Sequence, residues 1–245
     1  MRNFKVTMAY DGTAYHGFQR QKGAASVQQT VEEALCTLLK EENVTINGCS
    51  RTDKGVHARE FVFNFHTDST ITEKGVVFGL NALLPDDIGV SKCEIADDDF
   101  HARFDCKGKE YEYLVHNSRI KNPFYAHTAH MHYVTLDENK MHTAAQAFVG
   151  EHDFKAFCST ACDKKSTVRV VNEFSVTRSG DMVSFKVSAN GFLYNMVRIM
   201  VGTLIFISDG RIAADSLPYI IESKDRTKAG KTAPAQGLYL NKVFY

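Results

Sequence analysis

Within the eleven residues Gly48-Cys49-Ser50-Arg51-Thr52-Asp53-Lys54-Gly55-Val56-His57-Ala58 stand a carboxylate, a guanidinium, an ammonium, an imidazole and two glycines. A carboxylate can act as acid, base or nucleophile, according to its ionisation. To attack carbon Asp53 must be charged, so a neighbouring cation is wanted to keep it so in a dry site. Arg198, in Asn195-Met196-Val197-Arg198-Ile199-Met200-Val201-Gly202, is the candidate. An arginine among Met, Val and Ile is costly to bury unpaired, the alternative being that it snorkels to solvent. Arg51 lies two residues before Asp53 and faces the same way in an extended loop, where it suits a phosphate. Tyr111 offers a ring that can stack on a planar group, although strand tyrosines are more often core residues. His57 has the chemistry of a general base or metal ligand, but it shares no metal spacing with His66, and a structural loop histidine is the simpler account.

These groups need elements to hold them. Val44-Thr45-Ile46 before the loop and Phe61 to Phe65 after it read as strands, the second from its alternating phenylalanines. Phe4, Val6, Met8 and Tyr10 alternate in an opening strand that Asp11-Gly12 ends. The following loop, Thr13 to Ala25, mixes Tyr15, His16 and Phe18 with Arg20 and Lys22, rings and cations of the kinds that meet bases and phosphates. Ser26 and Gln29 have capping-box spacing ahead of a helix with Val27, Val31, Ala34, Leu35 and Leu38 on one stripe. A short helix near Glu73 to Leu83, a break at Leu84-Pro85-Asp86-Asp87 and a strand from Ile88 to Ile95 complete strand-helix-strand-strand-helix-strand, close to a ferredoxin-like lobe.

The second half repeats the theme more loosely. Lys107 to His116 reads as a strand, and Asp137 caps a helix that Gly150 stops. Residues 168 to 178 and 182 to 189 form a hairpin about Ser179-Gly180-Asp181; helices over Leu193 to Ser208 and Ala214 to Ile221 and a strand from Leu238 to Phe244 follow. The expected fold is α+β: two ferredoxin-like lobes, 1–105 and 106–245, sharing a mostly antiparallel sheet, with helices on one face and a central cleft.

Bulk properties narrow the partners. With 29 basic and 29 acidic side chains the net charge is zero, which argues against a simple nucleic-acid coat protein. Two strips are nonetheless basic: residues 1–25 and 223–232 each carry +3, the latter through Lys224, Arg226, Lys228 and Lys231. Such strips can grip a polyanion along a track, or be solvated faces. No apolar run reaches membrane-spanning length and the start lacks a signal-peptide core. The six cysteines show no Cys-x-x-Cys pair and read as free cytosolic thiols; Cys158 and Cys162 make a poor zinc pair. Gly230-Lys231-Thr232 lacks the earlier glycine of a phosphate loop, Asp225 standing there.

Four stretches together resemble the tRNA pseudouridine synthases of the A class, over nearly the whole chain. Gly48 to Ala58 is similar to the family loop Gly-x-x-Arg-Thr-Asp-x-Gly-Val-His-Ala, and Tyr10 to Gln21 to its first motif. Phe100-His101-Ala102-Arg103-Phe104 with Lys109-x-Tyr111-x-Tyr113 resembles the second motif, Ala189 to Arg198 the third, and Lys228 to Leu240 the family's ending. The resemblance implies isomerisation of uridine in the tRNA anticodon stem-loop, at positions 38, 39 and 40, in the cytoplasm, by a homodimer that needs no cofactor and no metal. It implies that Asp53 is the nucleophile, that Arg198 pairs with it, and that Tyr111 lies against the target base. Leu238 and Leu240 would wall that base. Arg51 and Arg103, with Phe18, Arg20, Lys22 and Lys54, would contact RNA. Two departures stand out: Phe18 replaces a common Trp, and Lys54 a frequent Ala. The rival classes are a non-catalytic RNA-binding protein and a metal-dependent hydrolase built on His57, His66 and Asp97 to Asp99.

Overall fold

A computed structural model describes residues 1–159 and 166–245, which fall into two compact units: 1–107 with 239–245, and 108–238. The first is built on β1 (Arg2–Tyr10), α1 (Val27–Leu39), β2 (Asn47–Gly48), β3 (His57–Thr67), α2 (Glu73–Leu83) and β4 (Ile88–Ala96). β4, β1, β3 and β2 lie side by side in that order, each pair antiparallel, the strand order of a ferredoxin-like sheet. The alternation in β1 buries Phe4, Val6 and Met8 completely, and Phe4 stacks on its cross-strand partner Phe65 with centroids 5.3 Å apart. β3 is buried on both faces, so it carries Asn64 into the interior, where Asn64 bonds Asn3 at 3.0 Å.

Ser26 caps α1 by accepting from Gln29 N at 3.3 Å, and Thr72 caps α2 by accepting from Gly75 N at 3.1 Å. One expectation shifts. Val44-Thr45-Ile46 is not a strand; pairing is confined to Asn47–Gly48, because Glu32 captures the Ile46 N–H at 3.3 Å instead of a neighbouring strand.

The second unit contains β5 (Gly108–Asn117), β6 (His130–His132), α3 (Glu138–Ala145), β7 (Gly150–Asp153), β8 (Val168–Ser179), β9 (Met182–Ala189), α4 (Met196–Ser208) and α5 (Leu217–Ser223). β5, β9, β8 and β7 form an antiparallel sheet in that order, with short β6 parallel to β5. β6 and β7 are too short to leave a periodic signal and were not expected. α4 begins three residues later than its apolar pattern suggests, since Asn195 takes a left-handed φ of 61° and cannot belong to the helix.

The last strand, β10 (Leu238–Phe244), pairs in parallel with β3 through Tyr239 and Leu240. Residues 239–245 therefore belong with the first unit, which amends a division of the chain at 105/106. Both units are α+β with mostly antiparallel sheets, and no helix among the described residues is long and apolar enough to cross a membrane. The expectation of six free thiols needs correction: Cys36, Cys49, Cys93 and Cys106 are in no disulfide, whereas Cys158 is disulfide-bonded. Cys162 lies outside the described residues.

Candidate active site

The loop between β2 and β3 carries Asp53, which is half-buried, with Arg51 and Lys54 exposed on either side. Its backbone is fastened at several points. Cys49 N donates to Val62 O at 2.8 Å, Phe18 N to Thr52 O at 3.2 Å, Gly55 N to Tyr15 O at 3.3 Å, and Val56 N closes a turn onto Asp53 O at 3.1 Å. Thr52 is buried and its hydroxyl meets the Tyr10 hydroxyl at 2.8 Å. Asp53 thus sits between an anchored threonine and a hydrogen-bonded turn, which fixes the backbone that carries its carboxylate.

The segment after β1 lies directly on this loop, backbone to backbone. A Cβ on Gly12 would stand 2.0 Å from Val56 O, and one on Gly17, where φ is +96°, would stand 2.5 Å from Thr52 O. Only glycine permits either approach. The tip of the same segment is tied across by Lys54 Nζ, 3.1 Å from His16 Nε2.

His57, the first residue of β3, is packed into the fold. It is 2% exposed and its ring stacks on Tyr239 at 4.7 Å, with the Arg59 guanidinium 4.5 Å over the far ring. Its Nδ1 lies 3.1 Å from both Gly12 N and Asp11 Oδ1. One nitrogen cannot accept from the first and donate to the second, so the tautomer decides which of the two holds it. Burial pushes the Asp11 carboxyl up, but hydrogen bonds from the Thr13 hydroxyl and amide, with the His57 ring, outweigh it and lower the pKa. No three His, Cys, Asp or Glu side chains among the described residues are grouped to hold a metal ion.

The expected RNA contacts divide by placement. Arg51 and Arg103 converge on one open pocket of about 190 Å³ in the first unit, whose wall includes Gly48 and Ser50 of the loop. Lys22 and Lys54 are exposed. Phe18 is 3% exposed and stacks on Phe61 at 4.3 Å, so it props Gly48 from beneath rather than presenting a face to solvent. Arg20 is bound at 3.1 Å to Glu32, a buried acid on α1 that also accepts from Gln28 Nε2 at 2.8 Å. That glutamate escaped the sequence reading; the available signal was its place in α1 between Val31 and Leu35, both fully buried.

The second unit gathers its own set. Tyr111 on β5 is 7% exposed and packs edge-on against Phe192, centroids 5.0 Å apart. Arg198, in the first turn of α4, donates Nε to Ala233 O and Nη1 to Asn195 Oδ1, each at 2.7 Å. Tyr113 donates its hydroxyl to Pro234 O at 2.8 Å. Arg198 and Tyr113 therefore clamp the 233–234 segment that leads to buried Leu238. Lys224 and Arg226 are engaged within the protein, the first with Asp153 at 2.8 Å and the second with Gly230 O at 2.9 Å.

The profile of a family described as tRNA pseudouridine synthase matches residues 6–105 and 144–245. The chain is 47% identical over its full length to "tRNA pseudouridine synthase A" of Acetivibrio thermocellus, covering all of that protein. The same name is carried by a Ruminiclostridium cellulolyticum protein, 47% identical with both chains covered completely, and by a Bacillus subtilis protein, 41% identical over 98% of each.

Proposed function

This chain belongs to the tRNA pseudouridine synthase family, and from that premise we propose that it isomerises uridine in the tRNA anticodon stem-loop, at positions 38, 39 and 40, with Asp53 as nucleophile. The reaction class, isomerisation of uridine to pseudouridine in tRNA, comes with the family. In it the bond from C1′ to N1 breaks, the base turns, and C1′ rejoins C5; the C5 proton leaves and N1 gains one, so composition and oxidation state are unchanged.

The observation that carries the assignment of Asp53 is the anchoring of its loop: Thr52 and Val56 are held on either side of it, so a single carboxylate is presented from a fixed backbone. Arg198 is the cation assigned to keep that carboxylate ionised. Tyr111 is the ring assigned to the face of the target base, with Leu238 as apolar wall. The target base must leave its stack, at a cost of about a few kcal/mol. Arg51, Arg103, Lys22 and Lys54 offset that cost through phosphate contacts. The cytoplasmic homodimer is carried by the family resemblance, and sedimentation of the purified protein tests the dimer.

Incubation with unmodified tRNA transcripts, followed by mapping of pseudouridine, tests activity and position together. Asp53→Asn is expected to keep tRNA affinity within a few-fold of wild type and to form no product. Product from Asp53→Asn would remove it as the nucleophile, and absence of product from the wild type would favour a non-catalytic RNA-binding role.

A further inference from the structure

Phe104 is 75% exposed, yet its surroundings are rigid. It stands on the turn after Phe100, where Phe104 N donates to His101 O at 3.0 Å and His101 N to Asp105 Oδ2 at 2.7 Å. Below the turn, Ala102 N donates to Asn64 Oδ1 at 2.9 Å, and Asn3 Nδ2 holds the carbonyls of Asp97 and Phe100 at 2.8 and 2.9 Å. Asn3, Asn64 and Ala102 are all 0% exposed. A buried amide pair thus pins the backbone that lifts a phenylalanine into water. A satisfied network of this kind fixes one geometry for the exposed ring.

That ring forms one wall of the pocket where Arg51 and Arg103 meet. The His101 ring lies 4.2 Å from it, and the Arg103 guanidinium stands 5.9 Å from its centroid. At about 190 Å³ the pocket is smaller than the roughly 300–1,000 Å³ of a site for a drug-sized molecule, and it suits one planar ring. An exposed aromatic face with two guanidiniums is the combination that takes an unstacked base together with its phosphate. Asp53 is not among the pocket's lining residues, although Ser50 and Arg51 of the same loop are.

We propose that this pocket is a second nucleotide subsite, in which an unpaired base adjoining the target uridine stacks on Phe104 while Arg51 and Arg103 hold its phosphate. It rests on the reading of tRNA as substrate and adds to that reading a binding place for a base that is not modified.

Synthetic anticodon-arm RNAs, intact or with one abasic residue at each loop position in turn, are titrated against wild type, Phe104→Ala and Phe104→Trp by fluorescence anisotropy. Stacking is worth about 1–3 kcal/mol per base, so Phe104→Ala is expected to weaken binding of the intact RNA roughly 5- to 150-fold, and Phe104→Trp to restore most of it. One abasic position is expected to weaken wild type by a similar factor and to add nothing to Phe104→Ala, the signature of a shared contact. Unchanged affinity in Phe104→Ala, no recovery in Phe104→Trp, or additive losses at every abasic position overturns the subsite. Because the ring is exposed, equal melting temperatures of the three proteins are expected, and a loss of affinity accompanied by unfolding counts against it. Pseudouridine formation by wild type on full tRNA is scored in parallel: its absence counts against the isomerase reading, whereas the binding cycle alone decides the pocket.

Discussion

At the scale of residues, the site depends on contacts that leave no room for a side chain. Gly17 and Gly23 both have positive φ, +96° and +78°, but a Cβ at Gly17 meets Thr52 O whereas one at Gly23 meets nothing within 4 Å. Gly23→Ala is expected to cost about 1–2 kcal/mol, the strain of a left-handed backbone alone. Gly17→Ala bears the same strain and also pushes on the carbonyl next to Asp53. It is expected to cost at least about 1 kcal/mol more and to lower turnover by roughly 100-fold, the effect of about 1 Å of misplacement. Urea denaturation and single-turnover assays on the two variants separate backbone strain from loop displacement.

At the scale of elements, α1 does more than cover a sheet. Its buried Glu32 collects Arg20 from the preceding loop, Gln28 from its own first turn and the Ile46 N–H from the segment entering β2. One carboxylate therefore sets the spacing between the 13–25 loop and the approach to Asp53. Glu32→Ala leaves the Ile46 amide unmatched in the interior and is expected to cost about 1–3 kcal/mol. Arg20, with 57% of its side chain exposed, turns to water at little cost. Amide exchange in Glu32→Ala should rise at Ile46 and its neighbours before it rises in β3; uniform acceleration would show that Glu32 supports the whole unit instead.

At the scale of the molecule, acid stability has an identifiable contributor in the second unit. Burial, aided by the nearby His132, lowers the pKa of His130 from 6.5 to about 4. Above pH 6.5 the ring is neutral in the folded and unfolded chain and contributes no pH dependence. Between about 6.5 and 4 the unfolded chain takes up the proton and the folded chain resists it, so stability is lost as pH falls through that window. His130→Asn is expected to lose less stability than wild type over the same interval, measured as the difference in melting temperature from pH 7 to pH 4. Equal slopes would place the acid sensitivity elsewhere.

What the sequence determined by itself is local in origin. Period-two alternation placed β1 and β3, the Ser26 and Asp137 caps placed the starts of α1 and α3, and the residue order around Asp53 carried much of the resemblance to the family. Each of these signals is generated by neighbours within a few residues, where backbone sterics and side-chain periodicity act. What only the tertiary structure decided involves partners far apart in the chain. Nothing local says that Tyr239 and Leu240 pair in parallel with β3, that Phe18 turns inward onto Phe61, or that Arg20 is held by a buried glutamate. Nor does the Phe100–Phe104 stretch reveal that Asn3 and Asn64 hold it rigid beneath an exposed ring. Those outcomes follow from which polar groups must find partners once the sheet has closed over them, and that is known only when the chain has folded.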